Sequence, residues 1–272
     1  MRSMALIFLV CLGATRALAQ SASPPDAYKP APQGMELDLS KPFHTRSSWR
    51  FVVTEGLQVK DSGDNDAPGA LTLCLYRGAD GPCMSDAVVI SAGTTKSRYV
   101  DDWDPHYLIS AKPVYPHGPN AAPFLLIVTG SLHSGDGDQL VSTQLVAYDA
   151  GQDEFRRVYA QSTGHNNNQE IRFVTDGPLR GSVISAEPQD KLPYGYWITV
   201  NKLTPAGAYR QVLRYRSATL YNDGNPLAVI DSEMPNIEKR LGLWKPGDPI
   251  PVPTVGKPCL KPVLRHTELW CG

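Results

Sequence analysis

Gln144-Leu-Val-Ala-Tyr148, a turn at Ala150-Gly-Gln-Asp153, and Phe155-Arg-Arg-Val158 form one unit of this chain; Trp197-Ile-Thr-Val-Asn201, a turn at Pro205-Ala-Gly207, and Tyr209-Arg-Gln-Val212 form a second. Each unit is two short runs of β-branched, aromatic and aliphatic residues joined by a polar turn, the pattern of an antiparallel hairpin. Working outward, each hairpin is preceded by another apolar run and a polar loop. In the first unit these are Phe124–Ser131 and the loop Ser134-Gly-Asp-Gly-Asp138; in the second, Ser182–Ala186 and the loop Glu187–Gly195. The matching hairpin strands sit 53 to 54 residues apart. A looser copy reads Phe51-Val-Val-Thr54, the loop Asp61–Asp66, Leu71–Tyr76 and a run starting at Cys83.

The repeat predicts an all-β protein built of repeated antiparallel hairpins. A propeller-like array and a β-sandwich with long loops both satisfy it, because both bury a hairpin face against a neighbouring sheet. Strand candidates are 51–58, 70–76, 87–91, 107–112, 124–133, 140–148, 155–161, 170–175, 182–187, 196–203, 209–217 and 227–230. The chain holds 23 Gly and 24 Pro among 272 residues, an excess that favours many turns over long helices. One short helix is expected over Met234–Leu241, with Ser232 as its cap, Pro235 in its first turn and Gly242 after its end.

Residues 1–19 carry Arg2, an apolar run from Ala5 to Gly13, and Ala17-Leu-Ala19, the pattern of a cleavable signal peptide. The expected product is exported to the periplasm or the extracellular medium, with no transmembrane segment. A Pro-rich stretch over 20–48 reads as a flexible leader, and 49–272 as a single all-β domain with a disulfide-pinned tail. After Cys11 leaves with the leader, Cys74, Cys83, Cys259 and Cys271 remain, an even number suited to an oxidising compartment. Local pairing, Cys74 with Cys83 and Cys259 with Cys271, is favoured because strands 71–76 and 83–90 would place the first two cysteines opposite each other.

A net charge of −1 gives no bulk attraction to nucleic acid. The six histidines form neither His-x-x-x-His nor His-Glu-x-x-His, and the cysteines lack metal-ligand spacing, so no metal or cofactor is expected. Leu132-His133-Ser134-Gly135-Asp136 lacks the glycines of a nucleophile elbow, and no catalytic set is assigned. The acidic glycine loops at Asp61–Asp66 and Gly135–Asp138 fall short of an EF-hand ligand set. The candidate binding residues are His133, Asp136 and Asp138 in the second loop, His165 and Asn167 in the amide-rich run His165-Asn-Asn-Asn-Gln-Glu170, and Tyr196, which alternation places on the opposite face from a core Trp197. The expected function is that of an exported binding or interaction protein without a catalytic centre, taking a protein or glycan partner; an inhibitor or immunity-type protein fits this profile. The alternative is a secreted hydrolase acting on polysaccharide, lipid or peptide.

Overall fold

The computed structural model describes residues 34–86, 88, 104–135, 137–164, 168–189, 194–253 and 259–271. The expected signal peptide, the start of the leader and most of the strand expected at 87–91 lie outside these residues. The described chain is mostly β, in several antiparallel sheets with no closed barrel.

Strands β1 (Met35–Asp38), β2 (Trp49–Glu55) and β5 (Leu71–Arg77) form the first sheet, in that order. A short helix, α1 (Ser40–Phe43), links β1 to β2, and a small hairpin of β3 (Val59–Lys60) and β4 (Asp66–Ala67) rises from the β2–β5 connection. The second sheet is a four-stranded meander of β6 (Tyr107–Val114), β7 (Phe124–His133), β8 (Gln139–Asp149) and β9 (Glu154–Gly164). The third is a meander of β10 (Glu170–Phe173), β11 (Val183–Pro188), β12 (Gly195–Leu203) and β13 (Tyr209–Leu220). Helix α2 (Val229–Arg240) and a terminal hairpin of β14 (Pro262–Arg265) and β15 (Glu268–Cys271) complete the fold.

The three sheets stack face to face in chain order. Leu125 and Ile127 of β7 point to the first sheet, where they meet Phe51, Val53, Leu73 and Leu75. Phe124 and Leu126 of the same strand point the other way, to Phe173 and Val183 of the third sheet. The second sheet therefore buries apolar side chains on both faces, which is why β7 opens with the unbroken hydrophobic run Phe124–Val128. Across the third sheet, Ile184, Tyr196, Ile198 and Val200 bury against Val229, Ile230 and Ile237 of α2. Helix α2 closes the stack.

The hairpin repeat occupies equivalent places: β8–β9 and β12–β13 are the last two strands of successive meanders. Both carry a bulge at the same motif position. Leu145 faces Tyr159 and Val146 faces Arg157, leaving Val158 unpaired; Val200 faces Leu213 and Asn201 faces Gln211, leaving Val212 unpaired. Matched bulges align Leu145 with Val200, an offset of 55 in the third strand against 54 in the fourth. The sequence offset of 53 is thus corrected by two residues, which keeps the same side chains facing inward. Of the loose third copy, β2 and β5 pair as the middle strands of a meander do, while the run from Cys83 makes a single bridge, Leu75 to Met84, among the described residues.

Four local expectations are corrected. The leader is ordered from Met35, since β1 pairs along β2 and Phe43 of α1 packs in the first core. Residues 227–230 are not a strand, because Val229 and Ile230 open α2. Ser232 and Pro235 lie inside that helix; its first turn is capped by Glu170, whose Oε1 accepts from the Ile230 N–H at 2.8 Å. Both disulfides are local, Cys74–Cys83 and Cys259–Cys271, yet Leu75 faces Met84, so Cys74 and Cys83 are offset along the ladder while their Cα atoms lie 5.0 Å apart.

Candidate binding end of the sheet stack

Meander topology sends alternate connections to opposite ends of the stack. One end receives the β3–β4 hairpin, the β7–β8 loop, the β9–β10 connection and the β11–β12 connection. These segments touch. Ser62 Oγ donates to the His133 carbonyl at 3.4 Å, joining the two acidic glycine loops. A Cβ on Gly164 would lie 2.7 Å from Gln169 Nε2 and 3.1 Å from Asp138 Oδ2, so the β9–β10 connection abuts the β7–β8 loop, and a larger residue there would displace both side-chain ends.

His133 closes β7, is exposed, and meets Tyr107 edge to face at 5.9 Å between ring centroids. Asp138 Oδ1 accepts from the Gln139 N–H at 2.9 Å, while its carbonyl accepts from the Ser134 N–H and hydroxyl. Asp136, His165 and Asn167 lie outside the described residues. Asp61 in the neighbouring hairpin has its carboxyl held below the usual range, first by the Asn65 N–H and then by the Asn65 amide and Gly63 N–H. Its lone pairs are engaged by its own turn. Among the described residues no three or more His, Cys, Asp or Glu side chains gather in a way that could hold a metal ion.

Tyr196 is corrected. Its side chain is fully buried in the core beneath α2, and burial pushes its hydroxyl pKa upward. Trp197, expected in the core, is the half-buried member of the pair and faces away from α2. Alternation governs both residues, with the faces exchanged.

Trp197 belongs to a group that the sequence analysis missed. Across the β12–β13 ladder it faces Arg216, and its neighbour on the same face, Thr199, faces Arg214. Both guanidinium groups lie over the indole, Arg214 at 4.6 Å and Arg216 at 5.0 Å from the ring centroid. Both arginines are exposed and neither has a carboxylate partner among the described residues. On the other side Trp197 faces Glu187 of β11, which already accepts from Gln161 and Ser185. Strand β13 is the last of its sheet, and Val212 and Arg210 extend its exposed stretch. The signal was present in the sequence: Arg214-Tyr-Arg216 puts two cations on one strand face and Tyr215 on the other.

The chemistry offered is recognition. An indole under two guanidinium groups presents a flat apolar surface edged with fixed positive charge and forked donors. Among the described residues the one histidine ring hydrogen bond runs from His106 Nδ1 to the Pro68 carbonyl, so no histidine is paired with a hydroxyl there. No protein-family model, curated protein or solved structure matches this chain.

Proposed function

We propose that this chain is an exported interaction protein, periplasmic or extracellular, that binds a protein partner through Trp197, Arg214 and Arg216 at the loop-bearing end of the stack. Two disulfides and no helix long and apolar enough to cross a membrane among the described residues are compatible with that address. The observation that carries the reading is the half-buried indole flanked by two exposed guanidinium groups that lack carboxylate partners. Trp and Arg are the side chains that most often dominate binding energy at protein interfaces. Free guanidinium groups select an acidic partner surface, and their exposure makes the association faster at low ionic strength.

The test is affinity capture from envelope extract with the wild-type protein, Trp197→Ala, and the double variant Arg214→Glu with Arg216→Glu. A control variant, Val263→Ser, alters the distant terminal hairpin. The expected result is one acidic protein retained by wild type and control and lost from both site variants, with capture weakened by salt. Equal capture by all four proteins would refute the site. Saturable binding to neutral oligosaccharides that is lost with Trp197 but kept by the arginine variant would replace the protein partner with a glycan.

A further inference from the structure

A cavity of about 310 Å³ opens between α2, the segment 244–250 and the β14–β15 hairpin, on the face of α2 remote from the third sheet. Its volume lies at the lower end of the ~300–1,000 Å³ range of small-molecule sites. Pro235, Trp244, Pro246, Ile250 and Leu264 supply an apolar lining. Trp244 is held in place by its Nε1–H, which donates to the Pro249 carbonyl at 3.0 Å. The disulfide Cys259–Cys271 fastens the hairpin that forms the opposite wall.

The charged groups at the rim are not equivalent. Lys239 lies one turn beyond Pro235, so both project from the same helix face into the cavity lining. Its ammonium is exposed and has no ion-pair partner among the described residues. Asp248 is engaged, since its Oδ2 accepts from the Lys245 N–H at 3.1 Å. Asn236 also spends a donor inward, on Glu233. Asp248 keeps its charge while one of its oxygens serves its own turn, so among the described residues the Lys239 ammonium is the charged rim group that no hydrogen bond or ion pair holds. Thr267 on the hairpin turn holds φ +85°, a left-handed backbone that β-branched residues avoid, so the wall keeps its shape at a local cost.

We propose that this cavity binds a small amphiphile with an apolar body and a carboxylate head, the body against Trp244, Ile250 and Leu264 and the head on Lys239. The site is independent of the Trp197 surface, and either can fail without the other. The test is calorimetric titration of the purified protein with decanoate, decanol and decylamine, three heads on one chain, each below its aggregation concentration. Decanoate should bind once per chain, decanol at least fivefold more weakly, and decylamine not at all. Lys239→Gln should bring decanoate down to the affinity of decanol. Leu264→Trp should abolish binding by filling the cavity, and Ile250→Trp repeats that test from the other wall if the first variant melts early. No saturable heat with any of the three ligands would overturn the proposal. So would decylamine binding tighter than decanoate, or decanoate binding unchanged in a folded cavity-filling variant.

Discussion

Asp153 and Trp49 are 104 residues apart in sequence and joined by a 3.1 Å hydrogen bond from the indole Nε1–H to Oδ1. Asp153 stands in the β8–β9 turn with φ +54°, so the second sheet reaches into the first at the end opposite the β7–β8 loop. The same carboxylate accepts from the hydroxyls of Tyr148 and Ser47, both at 2.6 Å, and pairs with Arg77 at 2.7 Å. Chiefly the Ser47 and Tyr148 hydrogen bonds hold its pKa far below the usual carboxylate value. Four side chains from the first two sheets converge on one anion.

Trp49→Phe removes one donor from that carboxylate and shrinks a fully buried side chain. Loss of a hydrogen bond to a charged group and of buried volume together cost about 2–4 kcal/mol. Thermal melting should fall by about 5–10 °C. Asp153→Asn, which keeps the shape, should also destabilise, and it should remove part of the acid sensitivity. The folded pKa is depressed, so the contribution of Asp153 is present above the unfolded value near 3.8 and is lost as pH falls below it. Denaturation series between pH 2 and 6 would check this, and an unchanged acid limb in Asp153→Asn would contradict it.

A second cluster fastens α2 to the third sheet. Arg172 bonds Asp231 of the helix and pairs with Glu170 at 2.8 Å, while Glu170 caps the helix through Ile230. The attraction of both carboxylates raises the Arg172 pKa against its own burial. Arg172→Ala leaves two carboxylates facing each other beneath the helix. Since all three groups keep some solvent contact, the cost should be about 2–3 kcal/mol, below that of a fully buried broken pair. Guanidinium denaturation should show a lower midpoint with an unchanged slope.

The strand plan was legible because it rests on local pattern. Phe124–His133 was read to the residue, and the hairpin repeat survives as matched bulges at Val158 and Val212. The start of α2 was not legible. Val229 and Ile230 carry strand propensity, and their helical state comes from packing on Ile184 and Ile198 and from a cap 60 residues upstream. Pro235 was placed in a first turn on local grounds, whereas tertiary burial carries the helix through it. The faces of Tyr196 and Trp197 could have been assigned from Ile198 and Val200, which share Tyr196's parity and mark the apolar side. The arginine pair on Trp197 needed the β12–β13 register, bulge included, which no sequence period supplies.

The two bulge valines separate repeat equivalence from energetic equivalence. Val158 packs between the second and third sheets beside Leu145 and Tyr209, whereas Val212 is 47 % exposed on the edge strand. Val158→Ala should cost about 1–2 kcal/mol through lost burial. Val212→Ala should change stability by less than about 0.5 kcal/mol. Equal losses in paired thermal melts would show that Val212 is covered in solution, as a second chain on β13 would cover it.

Glu268 of β15 is 7 % exposed, and burial is the main cause of its raised pKa. The charges of Glu233 and Asp223 add to the rise, while the neighbouring Trp270 indole and His266 oppose it. The folded protein therefore keeps a proton on Glu268 at pH values where the unfolded chain, titrating near 4.5, has released it. Stability contributed by this group is full below the unfolded value and declines as pH rises through the folded one. Glu268→Gln keeps the neutral shape at every pH. The variant should match wild type near pH 4, exceed it at pH 8, and show a flatter profile between. Glu238 in α2, raised by burial as well, leaves a residual slope of the same sign. Chemical denaturation of both proteins from pH 4 to 8 decides the matter: parallel profiles would mean that Glu268 is ionised in the fold without penalty.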